Sequence, residues 1–289
     1  MNYPIVTVKT ADNLTLYGLF LEAPNSKTIF INTHGTASNF YEENFIEVFA
    51  KYFIKNEISL LSTNNRGAGV YDAYQKTGAA VEYFEDCVLD IDAWISFATE
   101  KGYTKIILSG HSLGTEKVVY YMGHGDFAHK VSRVVLLAPA DSYGSHRMHE
   151  GAVNPRKNEI GDLLNQAIEL DDKHQGDDFL SRNAYGSHDG IMPKSANSFI
   201  NFLGEHSKLG DGLPFVSGKL QAFSKIDVPI LVAIGDQSEF TGIKTTDALK
   251  LMRDENKRAV THQLKNCDHD FDGKEDQLAE ILLDFIRAT

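Results

Sequence analysis

The stretch Gly110-His111-Ser112-Leu113-Gly114 constrains this chain more than any other, because an apolar run, Lys105-Ile106-Ile107-Leu108-Ser109, leads into it and a helix-like segment from Thr115 leaves it. The order is strand, tight turn bearing a serine, helix. Small residues on both sides of a serine suit a strained strand-to-helix turn that lifts the hydroxyl clear of a sheet. Ser112 is therefore a candidate nucleophile. The five residues alone would also suit an ordinary glycine turn, so the flanking strand and helix carry the reading.

The rest of the chain repeats the strand-helix alternation. Val6-x-Val8 and Leu16-x-Gly18-x-Phe20, flanking Asp12-Asn13, predict an N-terminal hairpin. Phe84, Cys87, Val88, Ile91, Trp94, Ile95 and Ala98 recur at helical spacing, which predicts an amphipathic helix before the elbow strand, with Trp94 in the core. Such alternation implies a mainly parallel sheet with helices on both faces, and these sheets bind ligands at the carboxyl ends of their strands.

Two further segments end strands on that side. The run Thr28-Ile29-Phe30-Ile31-Asn32 stops at Thr33-His34-Gly35-Thr36, which by itself reads as an ordinary turn. Near the C-terminus, Asn266-Cys267-Asp268-His269-Asp270-Phe271 follows the strand-like residues 259–264. A general base must be held by a loop near the nucleophile, and a histidine just after the last strand meets that need. The chain has 11 histidines, so His269 is selected by its place after Ser112 and by the His-x-Phe context.

With these pieces in hand, the chain resembles the α/β-hydrolase superfamily. The resemblance rests on His34-Gly35, on Asn65-Arg66-Gly67 after Ile58-Ser59-Leu60-Leu61, on the elbow 110–114, on Pro229-Ile230-Leu231-Val232-Ala233-Ile234 closed by Gly235, and on Asp268-His269-Asp270-Phe271. The stretch from His34 through Asn39-Phe40-Tyr41 to Asn64-Asn65-Arg66-Gly67 is weakly similar to the branch that includes fungal siderophore esterases. The resemblance implies the α/β-hydrolase fold, oxyanion donors at the backbone N–H groups of Thr36 and Leu113, His269 as base and a structural role for Arg66.

The acid of the triad departs from the family pattern. The usual position, three residues after the glycine that ends the penultimate strand, holds Ser238. Glu239 is one residue on with a longer side chain; Asp236 lies closer to the strand end; Asp141 follows the strand 134–139, a site that some relatives use. They are ranked Glu239, Asp236, Asp141, and each also suits a solvated loop or turn.

At 289 residues the chain can bury a sizeable core as one domain with an insertion. We expect a catalytic domain from residues 1–141 and 226–289, and a helical cap over 142–225, where Gly, Asn, Asp and His interrupt the alternation and helices are expected near 160–170 and 195–203. His146, His149, Tyr185 and His188 of this insertion could line a pocket or simply face solvent. A net charge of −12 disfavours nucleic acid and anionic membranes as partners. Neither a secretory n-region nor an apolar run of membrane-spanning length occurs, and the two cysteines, Cys87 and Cys267, suit neither a disulfide framework nor a zinc site, so a cytoplasmic location is expected.

The sequence thus predicts a serine hydrolase cleaving a small carboxylic ester through an acyl-enzyme, without metal or organic cofactor. A thioesterase or acyltransferase, and a non-catalytic ligand-binding protein of the same fold, are the alternatives. Oligomeric state and substrate identity are left open.

Overall fold

The computed structural model describes residues 4–147, 157–180, 192–237 and 239–288. Eight strands form one sheet: β1 (Ile5–Lys9), β2 (Thr15–Leu21), β3 (Thr28–Thr33), β4 (Ile58–Thr63), β5 (Lys105–His111), β6 (Val131–Leu137), β7 (Ile230–Ile234) and β8 (Ala259–Gln263). Their order is β1-β2-β4-β3-β5-β6-β7-β8. The N-terminal hairpin is antiparallel and β2 pairs antiparallel with β4, while every pairing from β4 to β8 is parallel. This is the α/β-hydrolase fold expected from the sequence.

Central strands buried on both faces read as unbroken apolar runs, and their alternate residues enter different cores. Ile29, Ile31, Ile106, Leu108, Val134, Leu136, Ile230 and Val232 point to one face, where they meet Ile91, Trp94, Val118, Val119 and Met252 of helices α2 (Cys87–Glu100), α3 (Leu113–His124) and α7 (Thr245–Glu255). Phe30, Ile107, Val135 and Leu231 point to the other, against Phe45, Phe49 and Phe53 of α1 (Phe45–Lys55) and Leu278 and Leu282 of α8 (Glu275–Arg287). Helix α1 was not foreseen, although its phenylalanines recur at four-residue spacing. Trp94 is core, as expected, and its indole N–H donates to the Asn64 carbonyl at 2.8 Å.

Between β6 and β7 the described residues carry α4 (Ser142–Arg147), α5 (Lys157–Asp172) and α6 (Ala196–Leu203). The last two extend over the helical segments expected there, and the Ser195 hydroxyl caps α6 by accepting from the Ser198 N–H. Ile160, Leu163, Phe199 and Phe202 share a third core with Phe84, Leu113 and Tyr120. The insertion therefore packs directly on the helix that begins after Ser112.

Candidate active site

Strands β3, β5, β7 and β8 end on one side of the sheet, and their following loops carry Gly35, Ser112, Glu239 and His269. Ser112 has φ 55° and ψ −126°, outside the ordinary regions for a side chain with a Cβ, a conformation that costs on the order of 1–3 kcal/mol. The surroundings enforce it. A Cβ on Gly110 would lie 2.2 Å from the Gly114 carbonyl oxygen, and one on Gly114 would lie 2.3 Å from that of Thr33. The Ser112 N–H donates to the Leu137 carbonyl at 3.0 Å, and its own carbonyl accepts from the Thr115 N–H and hydroxyl at 2.9 and 2.6 Å. Helix α3 begins at Leu113, two residues earlier than its sequence suggests. Gly110→Ala and Gly114→Ala are each expected to destabilise the fold by at least about 2 kcal/mol through the forced backbone shift, read as a lowered denaturant midpoint.

Gly35 meets Ser112 directly: a Cβ there would lie 2.8 Å from the serine Cβ. His34 fixes this loop from behind. Its Nδ1–H donates to the Gly35 carbonyl at 2.7 Å, while Nε2 accepts from the Asn65 N–H at 3.2 Å. These partners specify the neutral ring, and full burial, reinforced by the charge of Lys117, lowers its pKa to about 4. Because a trans peptide opposes its C=O and N–H, anchoring the Gly35 carbonyl on His34 turns the Thr36 N–H away from that ring. The Leu113 N–H opens α3 and so has no acceptor within the helix.

Glu239 and His269 are joined. His269 Nδ1 lies 2.8 Å from Glu239 Oε2, and the Gly235 N–H donates to Glu239 Oε1 at 2.8 Å, so both carboxylate oxygens are engaged. The Glu239 side chain is only 2% exposed. With a proton on Nδ1, Nε2 keeps its lone pair, and that atom is buried without a hydrogen-bond partner among the described residues. The Phe240 ring stands edge-on to the imidazole, 4.6 Å between centroids.

The other two carboxylates are occupied with backbone. Asp236 Oδ1 accepts from the Cys267 N–H at 3.1 Å, and this bond holds its pKa below the usual carboxylate range. Asp141 accepts from the Gly144 N–H at 2.6 Å and from the Val216 N–H at 2.8 Å, bracing the first turn of α4. Ser238, and with it His149, Tyr185 and His188, lie outside the described residues. His146 Nδ1 sits 2.6 Å from the Ser142 carbonyl, one helical turn back. Arg66 has the structural part expected of it, donating to Asp90 from its backbone N–H and guanidinium and to Asp86 and Asp12 from Nη1.

Sequence reasoning missed two polar groups behind the loops. Lys117 of α3 pairs with Glu82 at 2.6 Å, both side chains 1% exposed, and donates to Asn65 Oδ1 at 3.0 Å. Lys194, donating to the Ser198 hydroxyl, is a second lysine buried near the same glutamate; burial, partly offset by Glu82, pushes its pKa down to about 7. An unfolded lysine binds its proton up to about 10.5, so this group makes the fold less stable below pH 7 and the penalty fades as pH rises from 7 towards 10.5. Lys194→Met is accordingly expected to raise the melting temperature at pH 7 by more than at pH 10. The second missed group is His111 with Glu43; only the variable position inside the elbow motif marked the histidine, and nothing marked the glutamate.

No helix among the described residues is long and apolar enough to cross a membrane. The family described as serine aminopeptidase, S33, matches residues 24–183. No curated protein matches the chain in sequence. Among solved structures, the chain is similar to Est1E from Butyrivibrio proteoclasticus with ferulic acid bound (16% identity, TM-score 0.65, covering 97% of this chain and 98% of that one). It is also similar to the α/β hydrolase GrgF from Penicillium sp. sh18 (15%, 0.68, 98% and 97%) and to the esterase EaEST from Exiguobacterium antarcticum (17%, 0.61, 98% and 99%). At these identities the likeness is one of fold.

Proposed function

Since the chain belongs to the α/β-hydrolase family described as serine aminopeptidase, S33, we propose that it is a serine esterase that cleaves a small carboxylic ester through an acyl-enzyme. The observation that carries this reading is the Glu239–His269 hydrogen bond, which leaves Nε2 as a bare acceptor on a loop at the same end of the sheet as the strained Ser112. In this reading Ser112 Oγ attacks the acyl carbonyl while His269 Nε2 takes its proton. The N–H groups of Thr36 and Leu113 receive the oxyanion, and the imidazolium is held by Glu239. Collapse of the tetrahedral intermediate passes that proton to the leaving alcohol. Water then enters, gives its proton to Nε2 and releases the acid, restoring Ser112.

Residues 142–225 serve in this reading as the cap that selects the substrate. Their shared core with Leu113 and Tyr120 means that wholesale deletion would strip apolar cover from α3, so specificity is better probed by point substitution. The hydrogen bond from His269 to Glu239 also weighs against the non-catalytic alternative, because it orients the imidazole although the usual acid position holds Ser238.

A fluorophosphonate probe tests the reading without knowledge of the substrate. Covalent modification located at Ser112 by peptide mass analysis is expected, together with turnover of at least one member of a panel of short acyl and aromatic esters. Absence of labelling on folded protein would remove Ser112 from the nucleophile's role.

A further inference from the structure

His111, the residue before the serine, is buried with each of its ring nitrogens facing an acceptor. Nε2 lies 2.9 Å from the backbone carbonyl of His269. Nδ1 lies 3.4 Å from Glu43 Oε1, an ion-pair distance between side chains 5% and 6% exposed. The other oxygen of Glu43 accepts from Asn32 Nδ2 at 2.8 Å, which fixes the carboxylate's rotation. The rings of His111 and His269 are 5.1 Å apart, and Phe45 and Phe271 close the His111 ring in at 5.4 and 6.2 Å.

A neutral imidazole has one N–H and one lone pair. With the hydrogen on Nε2, the Nδ1 lone pair would face a carboxylate oxygen. With it on Nδ1, the Nε2 lone pair would face the His269 carbonyl. Either tautomer leaves two acceptors opposed in a buried place, where an unmade polar contact is costly. One additional proton relieves both conflicts.

We propose that His111 is a positioning residue for His269: as an imidazolium paired with the Glu43 carboxylate, it donates to the His269 carbonyl and holds the backbone of the base in register with Ser112. The inference rests on the reading of Ser112 and His269 as nucleophile and base. Burial pushes the His111 pKa down, but Glu43, the His269 carbonyl and, less strongly, Asp270, which also faces this ring, outweigh it and raise the pKa. His269, with its partner Glu239, also lies beside this ring, and His34, which senses Glu43, stays neutral. A raised pKa means the pair keeps its proton to a higher pH than a free histidine would, and loses it as pH rises further. Above that point the support of His269 is lost.

The test is the pH dependence of fluorophosphonate labelling at Ser112. Wild-type labelling is expected to fall by about tenfold or more on the alkaline side, a loss of roughly 1.4 kcal/mol in positioning of the base. In Glu43→Gln, the amide oxygen can keep the Asn32 bond while the amide nitrogen donates to Nδ1, so a neutral His111 satisfies every partner. The alkaline fall should then vanish, whatever the absolute rate. Profiles of wild type and Glu43→Gln that superimpose would overturn the proposal, whereas failure of the wild type to label at all would overturn the nucleophile reading instead. Should Glu43→Gln fail to fold, nitrogen-15 spectra of histidine-labelled wild type decide the matter. Protons on both His111 nitrogens at the pH of fastest labelling are expected; a bare nitrogen there would refute the pair.

Discussion

Ser112→Ala is expected to lose about a millionfold in kcat, the scale seen when a serine nucleophile is removed from a triad enzyme. The substitution deletes one oxygen and keeps the Cβ, so the backbone strain at φ 55° and the turn's hydrogen bonds persist. Its fold should therefore stay within about 0.5 kcal/mol of the parent, as is usual where no buried contact is removed. Hydrolysis of whichever ester the wild type accepts measures the first effect and urea unfolding the second. Retention of a tenth of the parent rate would show that the chemistry resides elsewhere.

The elements at stake in that experiment were legible to different degrees. Strand β5 and the elbow were plain because an apolar run ending in Gly-x-Ser-x-Gly has few other ways to fold, and the atoms that Gly110 and Gly114 must avoid explain why no other residue serves there. His269 was legible from its place after β8. Glu239 was legible only as a preference, since reach depends on where the loop after β7 turns, and that is set by the Gly235 N–H on Oε1 and by Asp236 on the Cys267 N–H. The first contact spans four residues and the second 31, and neither follows a pattern that hydrophobic periodicity reveals. The same holds for Glu43 with His111, 68 positions apart in numbering yet buried together, and for Lys117 with Glu82. Periodicity reports which face of an element is buried. It does not report which buried polar groups find each other, and those pairings position this site.

The acid proposed for the triad offers the second large effect. In Glu239→Gln the side-chain oxygen would keep the Gly235 N–H, which needs an acceptor, and the amide NH2 would then face His269 Nδ1. A donor there forces the imidazole to carry its hydrogen on Nε2, the tautomer that cannot take a proton from Ser112. A loss of about 10⁴-fold in kcat is expected, the scale found when an orienting carboxylate of a serine triad is made an amide. Asp236→Asn and Asp141→Asn should remain within about tenfold of the parent, because each carboxylate accepts from backbone N–H groups through oxygens that an asparagine can partly replace. Their cost should appear as stability instead, about 1 kcal/mol for Asp141 at the start of α4. The three variants measured at one pH under saturating ester separate the possibilities. A large loss confined to Asp236→Asn or Asp141→Asn would move the role there, and three near-normal enzymes would mean that the imidazole takes its orientation from its backbone, leaving the His111 contact on the His269 carbonyl as the group to remove next.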